Sequence, residues 1–232
     1  MSFDRIAVLL ALLLGTAAPL QMVCADSLAS ALSRAAPDAD PNVIKLAVQA
    51  TQCRSAQQGD NAARLAVIDY SLPSTSKRLW IFDLRRRALL FHELVAHGRN
   101  SGENLARHFS NKQQSLASSL GLYVTLNTYQ GQNGYSLRME GLEHGFNDQA
   151  YNRALVIHGA PYVSPDLARA NGRIGRSLGC PAVRPAVAHR VIDAMKDGQL
   201  LFSYYPDPQW LEASAFINCS ADRVASASPE GH

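Results

Sequence analysis

Asn152-Arg153-Ala154-Leu155-Val156-Ile157-His158-Gly159, followed after a polar loop by Gly175-Arg176-Ser177-Leu178-Gly179-Cys180-Pro181-Ala182-Val183-Arg184, is the stretch whose reading decides the rest of the chain. Its first half is an apolar, β-branched run ending in histidine, which reads as a strand presenting an imidazole at its end. Its second half puts a cysteine in a glycine-rich turn, where the backbone can approach a ligand closely. A thiol paired with an imidazole is the usual way to make a thiolate nucleophile. On spacing alone two other readings stay open: Cys180 as half of a disulfide, and His158 as a buried residue with its hydrogen bonds satisfied.

The neighbours sharpen the chemistry. Pro181 has no N–H, so a backbone oxyanion hole would draw on Cys180 together with Gly179 or Leu178. Pro181 also biases Cys180 toward an extended conformation, which aims the thiol. No carboxylate follows His158, so a backbone carbonyl such as that of Gly159 is the expected orienter of its ring.

Working outward, the runs Arg64–Tyr70, Leu79–Leu84, Ala88–Ala96, Gly121–Tyr129, Tyr135–Leu142, Arg153–His158 and Leu200–Tyr205 read as strands. Asp83–Arg87 and Gly131-Gln132-Asn133-Gly134 read as hairpin turns. Two helices flank them. Asn42–Gln58 carries an apolar stripe at Val43, Ile44, Ala47, Val48 and Cys53 and stops at Gly59, and Pro185–Asp197 stops at Gly198. The expectation is a mainly β domain with an N-terminal helix and a helix after the cysteine. Asp26–Pro41 reads as a linker or loose helix, 61–219 as the domain, and 220–232 as a disordered tail.

The chain has 232 residues, 47% hydrophobic and 18% charged, with a formal charge of +3. That excludes a disordered protein and gives no concentrated basic surface for nucleic acid. Arg5, the apolar run Ile6–Leu14 and the small-residue site at Val23-Cys24-Ala25 have the layout of a secretory signal peptide over residues 1–25, too short to span a membrane. Cleavage after Ala25 leaves three cysteines, Cys53, Cys180 and Cys219. An odd count in an exported protein implies an unpaired thiol or an intermolecular bridge. Chain ends often lie close together, which makes a bridge between Cys53 and Cys219 natural. His92-Glu93-Leu94-Val95-Ala96-His97 resembles a zinc motif, but its histidines lie five apart on a strand and face opposite ways, so no metal is called for.

His158-Gly159, the spacer, Ser177-Leu178-Gly179-Cys180 and Arg184 together resemble the L,D-transpeptidase catalytic domain of the YkuD type, whose pattern is His, a spacer, then Ser/Thr-His-Gly-Cys. Val95-Ala96-His97-Gly98, Phe109-Ser110-Asn111, Ser118-Ser119-Leu120-Gly121, Glu140-Gly141-Leu142-Glu143 and Gly179-Cys180-Pro181-Ala182-Val183 resemble the divergent murein branch of that family. The resemblance spans Arg64–Pro206 and implies a β-sandwich or barrel catalytic domain. Leu178 departs from the pattern, standing where most of the family has a second histidine. His97 and His144 are the available replacements.

The resemblance further implies an enzyme without cofactors acting on peptidoglycan stem peptides, and the signal-like segment places it across the inner membrane, in the periplasm. Cys180, deprotonated by His158, would attack a stem carbonyl at an L-centre, with Gly159 and Gly179 shaping the site. The acyl group would pass to an amine of a second stem, giving a 3-3 or 1-3 crosslink. Ser177, Arg184, Arg176 and Tyr162 are the candidate stem-binding residues. A hydrolase using the same acyl-enzyme, and a non-catalytic wall-binding domain, are the competing readings.

Overall fold

The protein is described by a computed structural model covering residues 27–59 and 62–219. The segment read as a signal peptide and the tail from residue 220 lie outside the described residues. Among these, no helix is long and apolar enough to cross a membrane.

Two helices open the fold. α1, Leu28–Ala35, is capped by Ser27, whose hydroxyl accepts from the Ser30 N–H, so the segment read as a linker or loose helix contains a capped helix of two turns. α2, Pro41–Gln58, starts on the Asp40 cap with Pro41 in its first turn and ends on Gly59 at φ 69°. The strands follow: β1 (Arg64–Asp69), β2 (Leu79–Asp83), β3 (Ala88–Glu93), β4 (Gly121–Gly131), β5 (Gly134–Gly141), β6 (Val156–Gly159), β7 (Ala182–Val183) and β8 (Leu200–Tyr204). α3 (Pro165–Asn171) lies between β6 and β7, α4 (Pro185–Met195) between β7 and β8, and α5 (Pro208–Ala213) after β8.

The strands form one eight-stranded mixed sheet in the order β3-β2-β1-β8-β4-β5-β6-β7. β1 runs parallel to β8 and β6 parallel to β7; the other pairs are antiparallel. The two ends of the sheet meet beyond the regular strands. Ala96 N–H donates to the Ala182 carbonyl at 2.9 Å, Ser177 N–H to His97 and Arg99 N–H to Ser177. The chain leaving β3 thereby runs alongside the cysteine turn and closes the sheet toward a barrel.

Alternation along the strands produces two cores. Leu65, Val67, Trp80, Phe82, Leu200 and Phe202 face α1 and α2 along with Ile44, Ala47 and Val48. Ala66, Ile68, Ile81 and Leu201 take the other side with Leu137, Ile157, Val183, Val187 and Ile192. Both faces are covered, which is why β1, β2 and β8 read as continuous apolar runs.

Cys53 on α2 is joined to Cys219 by a disulfide spanning 166 positions, with their Cα atoms 6.0 Å apart. Closing so long a loop removes entropy from the unfolded chain, so Cys219→Ser is expected to lower the unfolding free energy by about 2–5 kcal/mol. Urea denaturation checks it. A variant as stable as the parent would mean that packing alone holds the two ends together.

Candidate active site

Strands β6 and β7 set the site. His158 pairs with Ala182 in parallel register, so Cys180 stands level with Val156, and Val156 and His158 share one face of β6 by alternation. Gly159, on the other face, lies against α4, where a Cβ would meet that of Ala188 at 2.8 Å. The helix and the imidazole therefore occupy opposite sides of the strand.

His158 is 4% exposed. Its Nδ1 lies 3.1 Å from the Gly159 carbonyl oxygen. A carbonyl only accepts, so Nδ1 carries the proton and Nε2 keeps a free lone pair. Burial lowers the pKa of the imidazole and the Gly159 contact opposes this in part, so the ring is neutral at pH 7. Cys180 is 9% exposed and is the free cysteine of the described residues. Its thiol is directed at the Ala154 carbonyl, 3.8 Å away, and no hydrogen bond joins it to His158. Burial raises its pKa, while the Val156 N–H, the charge of Arg153 and its own N–H act the other way. The resting pair is neutral thiol and neutral imidazole.

The cysteine turn is held from within and from the side. Ser177 Oγ donates to the Cys180 carbonyl at 2.7 Å and accepts from Gly179 N–H at 3.0 Å. Ser177 therefore staples the turn and is buried, rather than facing a substrate. The same bond occupies the Gly179 N–H, which leaves Cys180 and Leu178 of the oxyanion donors expected from sequence. Gly179 has φ 125°, and its carbonyl accepts from Ser118 Oγ at 3.1 Å. Arg153 braces the segment alongside, donating to the Ser110 and Ala117 carbonyls and to Ser115 Oγ and Ser119 Oγ.

Several expected substrate contacts are engaged elsewhere. Arg184 makes a two-pronged pair with Glu93 at 2.8 and 2.7 Å. Arg176 binds Glu103 at 2.7 Å and the carbonyls of Arg99 and Gly102. The Arg184 fork is thereby closed to a ligand carboxylate, whereas Arg176 spends its Nη1 on these three partners. Leu178 is 56% exposed, and neither proposed replacement imidazole stands in for one there. His144 is fully exposed, 3.7 Å from Asp148. His97 is wholly buried, with Nδ1 on Arg78 at 2.7 Å and Nε2 on the Gly102 carbonyl at 3.2 Å. Tyr162 alone of these borders the thiol electrostatically: burial and the Cys180 charge push its hydroxyl up to about 12. Arg153 and Ser118 stand in stretches quoted from the sequence, but nothing local assigns them a role, because Ser119 and Gly179, which they bind, lie 34 and 61 positions away.

Burial, reinforced by the Arg78 charge, lowers His97 from 6.5 to about 4. Between those values the unfolded chain binds a proton that the folded chain does not, so stability falls as pH drops from 6.5 toward 4. The loss is about 3 kcal/mol at pH 4. His97→Gln can accept from Arg78 and donate to Gly102, so its urea midpoint should fall less over this range. His158 adds a smaller effect of the same sign. Parallel pH profiles for parent and variant would refute the assignment.

A family model described as the L,D-transpeptidase catalytic domain matches residues 35–204, well over half of the chain. Similar solved structures include an L,D-transpeptidase from Mycobacterium smegmatis, with 13% identity, 62% of this chain and 60% of that chain covered, and a TM-score of 0.40. Another is L,D-transpeptidase 3 from Mycobacterium tuberculosis in complex with a faropenem-derived adduct, with 16% identity, 62% and 61% covered, and a TM-score of 0.38. A third, an L,D-transpeptidase from Stackebrandtia nassauensis, has 12% identity, 78% and 90% covered, and a TM-score of 0.37. The chain spans about 60% of the length of the first two. No match was found among curated proteins. With the His158 and Cys180 segments both inside the matched residues, the chain belongs to the L,D-transpeptidase catalytic domain family.

Proposed function

We propose that the protein is an exported peptidoglycan L,D-transpeptidase of the periplasm that works through a Cys180 thioester. The observation that carries this reading is the free thiol of Cys180 beside β6, with Cys53 and Cys219 already paired and with His158 Nε2 unprotonated. In the first half-reaction the thiol proton passes to His158 Nε2 as sulfur bonds to the stem carbonyl carbon. The tetrahedral intermediate expels the part of the stem on the C-terminal side of the attacked carbonyl, which is the terminal D-residue for a diaminopimelate donor and the peptide beyond L-Ala for an L-Ala donor, and its freed amine takes the proton from the imidazolium. In the second half an amine of another stem attacks the thioester, gives its proton to His158 and releases the thiol. A 3-3 or 1-3 crosslink results, according to which stem residue is the donor.

Because thiol and imidazole are both neutral at rest, proton transfer accompanies substrate engagement. Negative charge on the developing oxyanion is supported by the Cys180 N–H and by the nearby Arg153 guanidinium, whose hydrogen bonds are committed to the 110–119 segment and which acts through its charge. Leu178 removes a competing imidazole from the turn and leaves His158 as the single base.

Incubation of the mature protein with disaccharide tetrapeptide, followed by mass spectrometry, tests the reading. An acyl adduct on Cys180 and crosslinked dimers are expected. Shortened monomers without dimers would replace the transferase by a hydrolase.

A further inference from the structure

We propose that Arg138 is the carboxylate-binding residue of the donor site, in a cleft that shares its wall with the Cys180 thiol. The inference rests on the acyl-transfer reading and names what selects its substrate. Arg138 lies on β5, half-buried, with Val156 of β6 as its register partner. Its guanidinium sits over the Tyr129 ring, 4.0 Å from the centroid. Among the described residues it has no carboxylate partner, whereas Arg184 pairs with Glu93 and Arg176 with Glu103.

The cleft has a volume of about 330 Å3, and Tyr129, Arg138, Tyr151 and the segment Ala154–Val156 line it. That segment also frames the nucleophile: the Ala154 carbonyl faces the thiol and the Val156 N–H supports its charged form. A ligand carboxylate held by Arg138 is thus anchored to the strand that positions the sulfur. Stacking on Tyr129 fixes the guanidinium plane and leaves its N–H groups for a bidentate contact. Half-exposed Tyr151 flanks the opening. An unpaired cation, preorganised on an aromatic face in a cleft of this size, selects an anionic peptide over a neutral one.

The donor stem offers three such carboxylates, the terminal one of the leaving D-residue, the side-chain one of diaminopimelate and the α-carboxylate of the γ-linked D-glutamate. Cys180 acylation would be timed by mass spectrometry with disaccharide tetrapeptide and with three analogues, each amidated at one of these carboxylates. Wild-type protein should acylate about 10- to 100-fold more slowly with one analogue, which identifies the carboxylate bound. Arg138→Gln should react with all four at the slow rate, and Arg138→Lys should restore part of the discrimination. Thermal melts establish that the variants are folded; if Arg138→Gln is not, Arg138→Lys alone decides, by losing part of the wild-type preference. Wild-type protein that does not discriminate, or a folded variant that discriminates as wild type does, overturns the proposal. Wild-type protein that forms no adduct with any peptide instead overturns the acyl-enzyme reading on which it rests.

Discussion

Cys180→Ala is expected to abolish the acyl adduct and to slow acyl transfer roughly 10,000-fold or more, while leaving the fold intact. Loss of the nucleophile removes the covalent intermediate altogether, and no second free thiol lies among the described residues to take its place. The stability cost should be small. The Sγ contributes to the core around Leu137, Val156 and Ile157 but makes one long contact, to the Ala154 carbonyl. Removing one buried atom from a site that keeps its backbone bonds costs about 1 kcal/mol. The Ser177 staple holds the Cys180 carbonyl, not its side chain, so the turn persists in the variant. Mass spectrometry after incubation with tetrapeptide, together with a thermal melt, checks both halves. An adduct that survives the substitution would place the nucleophile elsewhere.

Gly179→Ala should do comparable damage by a different route. Its φ of 125° lies where L-residues are strained, and an added Cβ would stand 2.8 Å from the Ala117 carbonyl oxygen and 2.9 Å from Leu155 Cδ2. The Ala117 carbonyl cannot retreat freely, because Arg153 Nη2 donates to it at 2.6 Å. The turn must shift instead, and the adjacent Cys180 shifts with it. A displacement of about 1 Å at a reacting centre costs on the order of 100-fold in rate, and strain with overpacking costs about 3 kcal/mol of stability. Gly134→Ala is the informative control: φ is 72° there, yet nothing lies within 4 Å of the added Cβ. It should lose only about 1 kcal/mol and keep its acylation rate. Equal loss in the two variants, read by urea midpoint and adduct formation, would show that backbone conformation alone accounts for Gly179.

Local chemistry made much of the fold legible. α2 ends on Gly59 as its stripe predicts, and Gly131 to Gly134 turn between β4 and β5. The misses have local explanations as well. The run beginning at Arg153 becomes a strand only at Val156, because Ala154 adopts φ 53° and breaks the extended chain. α3 falls within the expected polar loop, although Ser164, Pro165, Asp166 and Gly172 form a cap, a first turn and a stop. With a helix of only seven residues, those end signals were the whole of the evidence.

The candidate site divides in another way. The sequence by itself determined the family, the pairing of a histidine-ended strand with a cysteine turn, and the orientation of His158 on a neighbouring carbonyl. Each depends on residues close together in the chain. Only the tertiary structure decided which cations are free and which polar groups are spent. Arg184 meets Glu93 across 91 positions, Arg176 meets Glu103 across 73, and Arg153 meets Ser110 across 43. Arg138, on the strand paired with Val156, has no carboxylate partner among the described residues. A charged side chain looks the same in sequence whether neutralised or open, because its partner is chosen by which strands and loops the sheet brings together.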